Sequence, residues 1–233
     1  NKVLSNVVSS QAIHKLYGGV VPELASREHQ KLITPVVNEA FIKSGIKKNQ
    51  INSVAFTRGP GLLGSLLVGT SFAKSLSIGL DIPLLEINHM QAHILSIFIE
   101  SDQKPPDFPF LALTVSGGHT QFVIVKDYFK MVEIGRTLDD AVGEAFDKSG
   151  KVIGLDYPSG PIIDKMSRKG DSNAFKFTKP KVDGLNFSFS GLKTGFMNFI
   201  KKESSTNKNF IKNRINDICA SIQEAIVDIL VEK

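Results

Sequence analysis

A chain of 233 residues can bury one large core or two modest ones, and 42% hydrophobic with 22% charged residues is ordinary globular composition that excludes a low-complexity polymer. The single cysteine, Cys219, excludes a disulfide within these residues and suits a reducing compartment, cytoplasmic or, for a eukaryotic source, mitochondrial. A net charge of +5 and a pI of about 9.2 permit a polyanionic partner such as RNA without requiring one.

In chain order, Val3 to Val8 reads as a short strand and Gln11 to Pro22 as a loop. Glu23 to Ser44 has helical apolar spacing, with Gly45 as its stop and Pro35 expected to kink or split it. Ile51 to Thr57 is a strand. It feeds Arg58-Gly59-Pro60-Gly61-Leu62-Leu63-Gly64-Ser65 and then a helix to about Ile78. This layout resembles a phosphate loop but lacks the ending and spacing of the standard nucleotide motifs, so its small residues point to close helix packing instead. Pro83 to Ile87 is a strand that runs into His89 and His93 and a helix to about Ile99. No apolar run is expected to reach transmembrane length.

The polar, proline-rich stretch Ser101 to Asp107 is the expected domain boundary, giving domains 1–104 and 105–233. Phe108 to Val115 and Gln121 to Val125 read as a hairpin closed by Ser116-Gly117-Gly118-His119-Thr120. Met131 to Gly135 is a further strand. Thr137 to Ile153 is predicted as a helix whose first turn holds Asp139 and Asp140. A short helix over Pro161 to Ser167 follows, then a basic, irregular stretch over Lys169 to Asn186. A helix or strand–helix unit begins at Phe187, and an amphipathic helix spans Asn213 to Val231. The first residues lack a Met and already show strand pattern, and the last stop within a helical pattern, so both termini are expected to be truncated.

Four groups of residues carry chemistry. The Gly-Gly turn lets backbone N–H groups approach an anion, with the Ser116 and Thr120 hydroxyls alongside; the alternative is an ordinary hairpin whose glycines supply positive φ. His89 and His93, four apart on a helix, offer two nitrogens to a metal, or else are surface or capping residues. Asp140, Glu144 and Asp147 share one helical face, which is either solvated or used to bind a hydroxyl, metal or cation. Asp156, Ser159, Gly160 and Asp164 add a second glycine turn with carboxylates around it, a pattern that suits a nucleoside. The clusters Lys43, Lys47, Lys48 and Lys201, Lys202, Lys208, Lys212, Arg214 read as solvated faces.

Six segments in this order resemble the TsaD family of tRNA adenosine threonylcarbamoyltransferases, bacterial and mitochondrial branch: GGVVPELASREH (18–29), TRGPGLLGSLLVGTSFAKSL (57–76), NHMQAH (88–93), VSGGHTQ (115–121), DDAVGEAFDK with GLDYPSGP (139–161), and FSFSGLKT (187–194). The resemblance implies an α/β ASKHA fold (actin-like and sugar-kinase-like) with two lobes around a nucleotide cleft, truncated at both ends, the lobes being 1–104 and 105–233. It implies transfer of threonylcarbamoyl from threonylcarbamoyl-AMP to N6 of adenosine 37 in tRNAs reading ANN codons. His89 and His93 correspond to metal ligands, for one divalent ion per subunit, iron or alternatively zinc. Thr114, Val115, Ser116, Gly117 and Gly118 correspond to the cradle for the phosphate and carbamoyl part. Asp147, Gly160 and Asp164 correspond to the adenosine site.

The family's catalytic acid and third metal ligand have no counterpart in these residues, so impaired activity is expected of the chain by itself. The implied partners are tRNA and either an ASKHA paralogue with a P-loop ATPase or a second copy of the chain, through helices near 23–44 and 61–78, with no membrane. The alternatives are a metallopeptidase, which the absence of Glu after His89 disfavours, a catalytically silent scaffold, and a sugar or acetate kinase, for which no sugar-recognition signature is present.

Overall fold

The computed structural model describes residues 2–11, 14 and 17–233. The chain forms two compact units, Asn1–Asp107 and Phe108–Lys233.

The first unit contains helix α1 (Pro22–Ser44), strand β1 (Val54–Gly59), helix α2 (Leu63–Leu80), strand β2 (Leu84–Asn88) and helix α3 (His89–Leu95). Strands β1 and β2 pair in parallel from Val54 opposite Leu84, and α2 makes the crossover that parallel pairing requires. Helix α1 has Pro22 at its first position, where no N–H partner is lost, and ends at Gly45 with φ 69°, whose N–H reaches the Phe41 and Ile42 carbonyls. Pro35 does not split it; the helix runs through, packed on α2. Gly64 permits that packing, because a Cβ there would lie 2.2 Å from the Ser26 Oγ of α1.

Two expectations fail in this unit. Val3 to Val8 forms no strand: no described segment pairs with it, and Val3, Leu4 and Val8 are exposed. A strand's backbone groups are satisfied only by a neighbouring ladder, so extended propensity alone makes none. Helix α2, at 18 residues and a mean hydropathy of 1.3, is long and apolar enough to cross a membrane by length and composition. Its one charge, Lys74, sits among small residues that read as packing residues in sequence. The loop expected over 11–22 includes positions 12, 13, 15 and 16, which lie outside the described residues.

The second unit contains the antiparallel strands β3 (Phe110–Val115), β4 (Thr120–Val125) and β5 (Met131–Arg136), in that order in the sheet, and helices α4 (Val142–Val152), α5 (Gly160–Ser167), α6 (Ser190–Thr206) and α7 (Phe210–Val231). The core is built where Phe122 of β4 meets Phe187 at 5.0 Å between ring centroids. Leu192, Phe196 and Ile200 of α6, together with Ile218, Ile222 and Ile226 of α7, complete it. Their spacing of four residues puts each set on one helical face.

Helix α4 starts at Val142, five residues later than the sequence predicts. Thr137 instead bridges to Phe187, with the Leu138 N–H donating to the Phe187 carbonyl and the Phe187 N–H to that of Arg136. That extra pairing holds residues 136–138 extended and postpones the helix. At the other end α7 begins three residues earlier than predicted, with Arg214 outside helical geometry at φ −122°.

Phe196 is fully buried. Phe196→Ala should lower stability by about 3–5 kcal/mol in chemical denaturation, whereas Leu67→Ala on the exposed side of α2 should change it by less than about 0.5 kcal/mol.

Candidate active site

Val115 pairs with Thr120, so the turn is the four residues between them. Its backbone closes through Ser116 N–H to the His119 carbonyl at 2.9 Å. The Ser116 Oγ accepts from the His119 N–H at 3.0 Å and, at a long 3.4 Å, from that of Gly118. Gly117 and Gly118 both lie outside the positive-φ region, and a Cβ on either would meet nothing within 4 Å. The ordinary-hairpin explanation, glycine for positive φ, therefore fails. Neither backbone conformation nor packing asks for glycine at these two positions, and the space in front of them is open.

Helix α4 begins against this turn. The Val142 N–H donates to the buried Thr120 Oγ1 at 2.9 Å, and the Gly143 N–H to the Ser116 carbonyl at 3.1 Å. A Cβ on Gly143 would fall 2.7 Å from the Gly117 Cα, so this glycine is demanded by packing. The positive end of the α4 dipole thus abuts the Gly-Gly turn, a setting that favours an anion.

One turn further along α4, the Asp147 Oδ1 accepts from the Ser159 N–H at 2.7 Å at the entry to α5. A Cβ on Gly150 would lie 2.2 Å from that of Ser159, and Gly160 stands 3.8 Å from the Phe146 Cβ by the same measure. Ser116 and Gly117 of the turn and Gly160 of α5 therefore lie against α4, the helix that carries Asp147. Asp164 lies one turn into α5, its Oδ2 held by the Arg168 guanidinium at 2.6 Å. Tyr157 enters the same surroundings: burial first, then the nearby Asp147 charge, push its phenol above the ordinary value.

The acidic face expected on α4 is not free. Lys148 binds Asp140 at 2.6 Å and Glu144 at 2.7 Å, and Lys193 stands 3.5 Å from the other Asp140 oxygen. Asp139 is not in the first turn of α4. It caps α6, accepting from the Ser188 hydroxyl and from the Phe189 and Ser190 N–H groups. Burial alone would raise its pKa; the hydrogen bonds from Ser188, Phe189, Ser190 and Asp140 outweigh it and bring the carboxyl below its ordinary 3.8. Sequence reasoning missed the capping role, and it missed Gly143. The signal for Gly143 was a glycine at a helix start with no turn to explain it.

In the first unit, Asn88 caps α3 through its side chain, accepting from the Met90 and Gln91 N–H groups, and this presents His89 in the first turn. The rings of His89 and His93 stack with centroids 4.7 Å apart, and their Nε2 atoms converge to 3.0 Å. The His89 Nδ1 lies 2.9 Å from the Pro60 carbonyl. Donation to that carbonyl assigns a proton to Nδ1 and leaves Nε2 facing His93. A metal-binding imidazole is held in this way by its outer partner. The pair fits two ligands of a divalent ion. Among the described residues no third His, Cys, Asp or Glu joins them.

Comparison with known proteins shows the family of the chain. A family model described as TsaD, tRNA N6-adenosine threonylcarbamoyltransferase, matches residues 2–233. The chain is 63% identical over 233 residues to the protein of that name from Christiangramia forsetii, across 100% of this chain and 68% of the relative. It is 60% identical to that of Riemerella anatipestifer, with the same coverage. The relative from Porphyromonas gingivalis is 53% identical over 234 residues, with 99% of this chain and 69% of the relative aligned.

The Asp139 cap has a pH signature. A depressed folded-state pKa contributes stability that is present above the unfolded value and lost as pH falls through the folded one. Asp139→Asn should be less stable than wild type at pH 7, and the gap should close as denaturation is measured from about pH 5 down to pH 3.

Proposed function

The chain belongs to the TsaD family of tRNA N6-adenosine threonylcarbamoyltransferases, and we propose that its glycine turn and α4 hold threonylcarbamoyl-AMP for transfer to N6 of adenosine 37 in tRNAs reading ANN codons. It is a transferase of t6A biosynthesis. The two units are proposed as the two lobes of an ASKHA fold, and the reducing compartment as the cytoplasm.

The observation that carries this reading is the pair Gly117 and Gly118, bare where neither φ nor packing requires it. Their amides, with the α4 dipole behind them, suit the adenylate phosphate. Asp147 and Asp164, flanking Gly160, offer carboxylate acceptors for the ribose hydroxyls. In the reaction, N6 of the tRNA adenosine attacks the carbamoyl carbon, the carbon–oxygen bond to the phosphate breaks, and AMP departs. The departing phosphate gains negative charge. Backbone N–H groups and a helix N-terminus fixed at that place stabilise the charge without reorganising, which is where such groups lower a barrier most. Gly143 and Thr120 act by position, locking the turn to α4.

His89 and His93 would hold the divalent metal, iron or zinc, which supplies Lewis-acid polarisation of the threonylcarbamoyl group. The partners proposed are an ASKHA paralogue with a P-loop ATPase, or a second copy of the chain. The exposed Leu63, Leu67 and Ile78 of α2 support a helix-packed interface there.

Full-length gene complementation of a strain depleted of its own enzyme, read by nucleoside analysis of its tRNA, tests the site. Gly117→Ala with Gly118→Ala should leave the unfolding midpoint unchanged and lower threonylcarbamoyladenosine by about tenfold or more, whereas Gly143→Ala should lower the midpoint as well. Unchanged modification in the double variant removes the turn from the mechanism. Metal analysis of the same full-length protein should show less bound metal in His89→Ala/His93→Ala than in wild type; equal content removes the ligand assignment.

A further inference from the structure

Positive charge is concentrated in one stretch of the chain. Residues 165–214 hold twelve Lys or Arg against three Asp or Glu, while the whole chain has 28 and 23. The excess in this stretch is larger than the chain's net +5, so the remaining residues are net acidic.

Tertiary packing draws three parts of the stretch to one place. Phe175 of the loop before α6, Phe199 of α6 and Phe210 of α7 meet with centroid separations of 5.0, 5.6 and 5.8 Å, and the Arg214 guanidinium lies 4.9 Å over the Phe175 ring. Gly170 comes so close to α7 that a Cβ would fall 2.1 Å from the Asn216 carbonyl oxygen. The Asp171 N–H donates to the Asp217 Oδ1 and the Phe175 N–H to the Ser221 Oγ, which fixes the loop along α7.

Six lysines flank these anchors in the chain: Lys169 and Lys176 on the loop, Lys201 and Lys202 near the end of α6, and Lys208 and Lys212 around the start of α7. All six side chains are exposed, and none makes an ion pair or hydrogen bond among the described residues. The nearby acids are otherwise engaged. Asp217 holds Arg214 and the Asp171 amide, and Asp171 accepts from the Asn173 N–H. Of the three acids in residues 165–214, Asp183 and Glu203 remain, set against six cations.

A solvated charged helix face ordinarily intersperses both signs. Here one sign is gathered from three segments and left without its counterpart, so the charges repel until an external polyanion neutralises them. Lysine is a compact point charge that suits phosphate oxygens, and contacts to phosphate set affinity and orientation while carrying no sequence information. We infer that this surface, at the junction of α6, α7 and the loop preceding α6, binds the phosphodiester backbone of the tRNA outside the adenylate site. The identity of the polyanion rests on the proposed function.

The test uses the full-length protein and an unmodified transcript of a tRNA reading ANN codons. Binding is measured over a series of salt concentrations for wild type, for Lys201→Gln/Lys202→Gln/Lys208→Gln/Lys212→Gln, and for a control with charge removed elsewhere, Lys43→Gln/Lys47→Gln/Lys48→Gln. The fourfold variant should keep the wild-type unfolding midpoint, weaken binding about tenfold or more at low salt, and reduce the slope of log affinity against log salt by about 3. The control should stay within about twofold of wild type at low salt. A fourfold variant with wild-type affinity and slope overturns the inference, and so does an equal loss in the control. A full-length wild type that binds tRNA through these lysines yet forms no threonylcarbamoyladenosine would instead sink the proposed function and leave this surface standing.

Discussion

The second unit depends on one close contact: the start of α4 seated against the turn between β3 and β4. Gly143 admits the Gly117 backbone to a distance that no side chain would permit, and Thr120 and Ser116 take the first two free N–H groups of the helix. An α-helix leaves its first amides unsatisfied, and here a hairpin supplies their acceptors. The contact does two things at once. It caps α4, and it aims the positive end of the α4 dipole at two bare glycines. Everything proposed about the adenylate site follows from that alignment, because the same helix then carries Asp147 to the entry of α5 and Gly160 beside Phe146.

The carboxylates show how a fold sorts groups that look alike in a sequence. Asp139 and Asp140 are neighbours, yet one caps α6 and the other pairs with Lys148 on α4. Glu144 shares that lysine, while Asp147 is tied to the α5 entry. The sorting comes from the delayed start of α4. Thr137 and Leu138 remain paired with Phe187, which leaves Asp139 outside the helix and next to the first amides of α6. A local preference for acids in a first turn is worth well under the three hydrogen bonds that Asp139 gains here.

Much of the site was legible in order but not in arrangement. The hairpin was readable because apolar runs and a Gly-Gly turn act over few residues, and its register appears as those runs imply. His89 and His93 were readable as a pair because helical spacing alone puts them on one face; the anchoring of His89 by Pro60 was not, since it reaches across 29 residues. Gly143 stood out locally only as a glycine at a helix start; its reason lies in Gly117. The strand expected over Val3 to Val8 failed for the complementary reason: strand propensity is local, but a strand exists only with a partner.

By itself, the sequence determined the family, the order of the elements, the closing turn and the two histidines four apart, because motif order, periodicity and turn chemistry are short-range properties of a chain. Only the tertiary structure decided which glycines are bare for packing and which for open space, which carboxylates are already engaged, and which aromatic side chains from separate segments meet. Those outcomes depend on contacts between residues far apart in the chain, and no local preference encodes them.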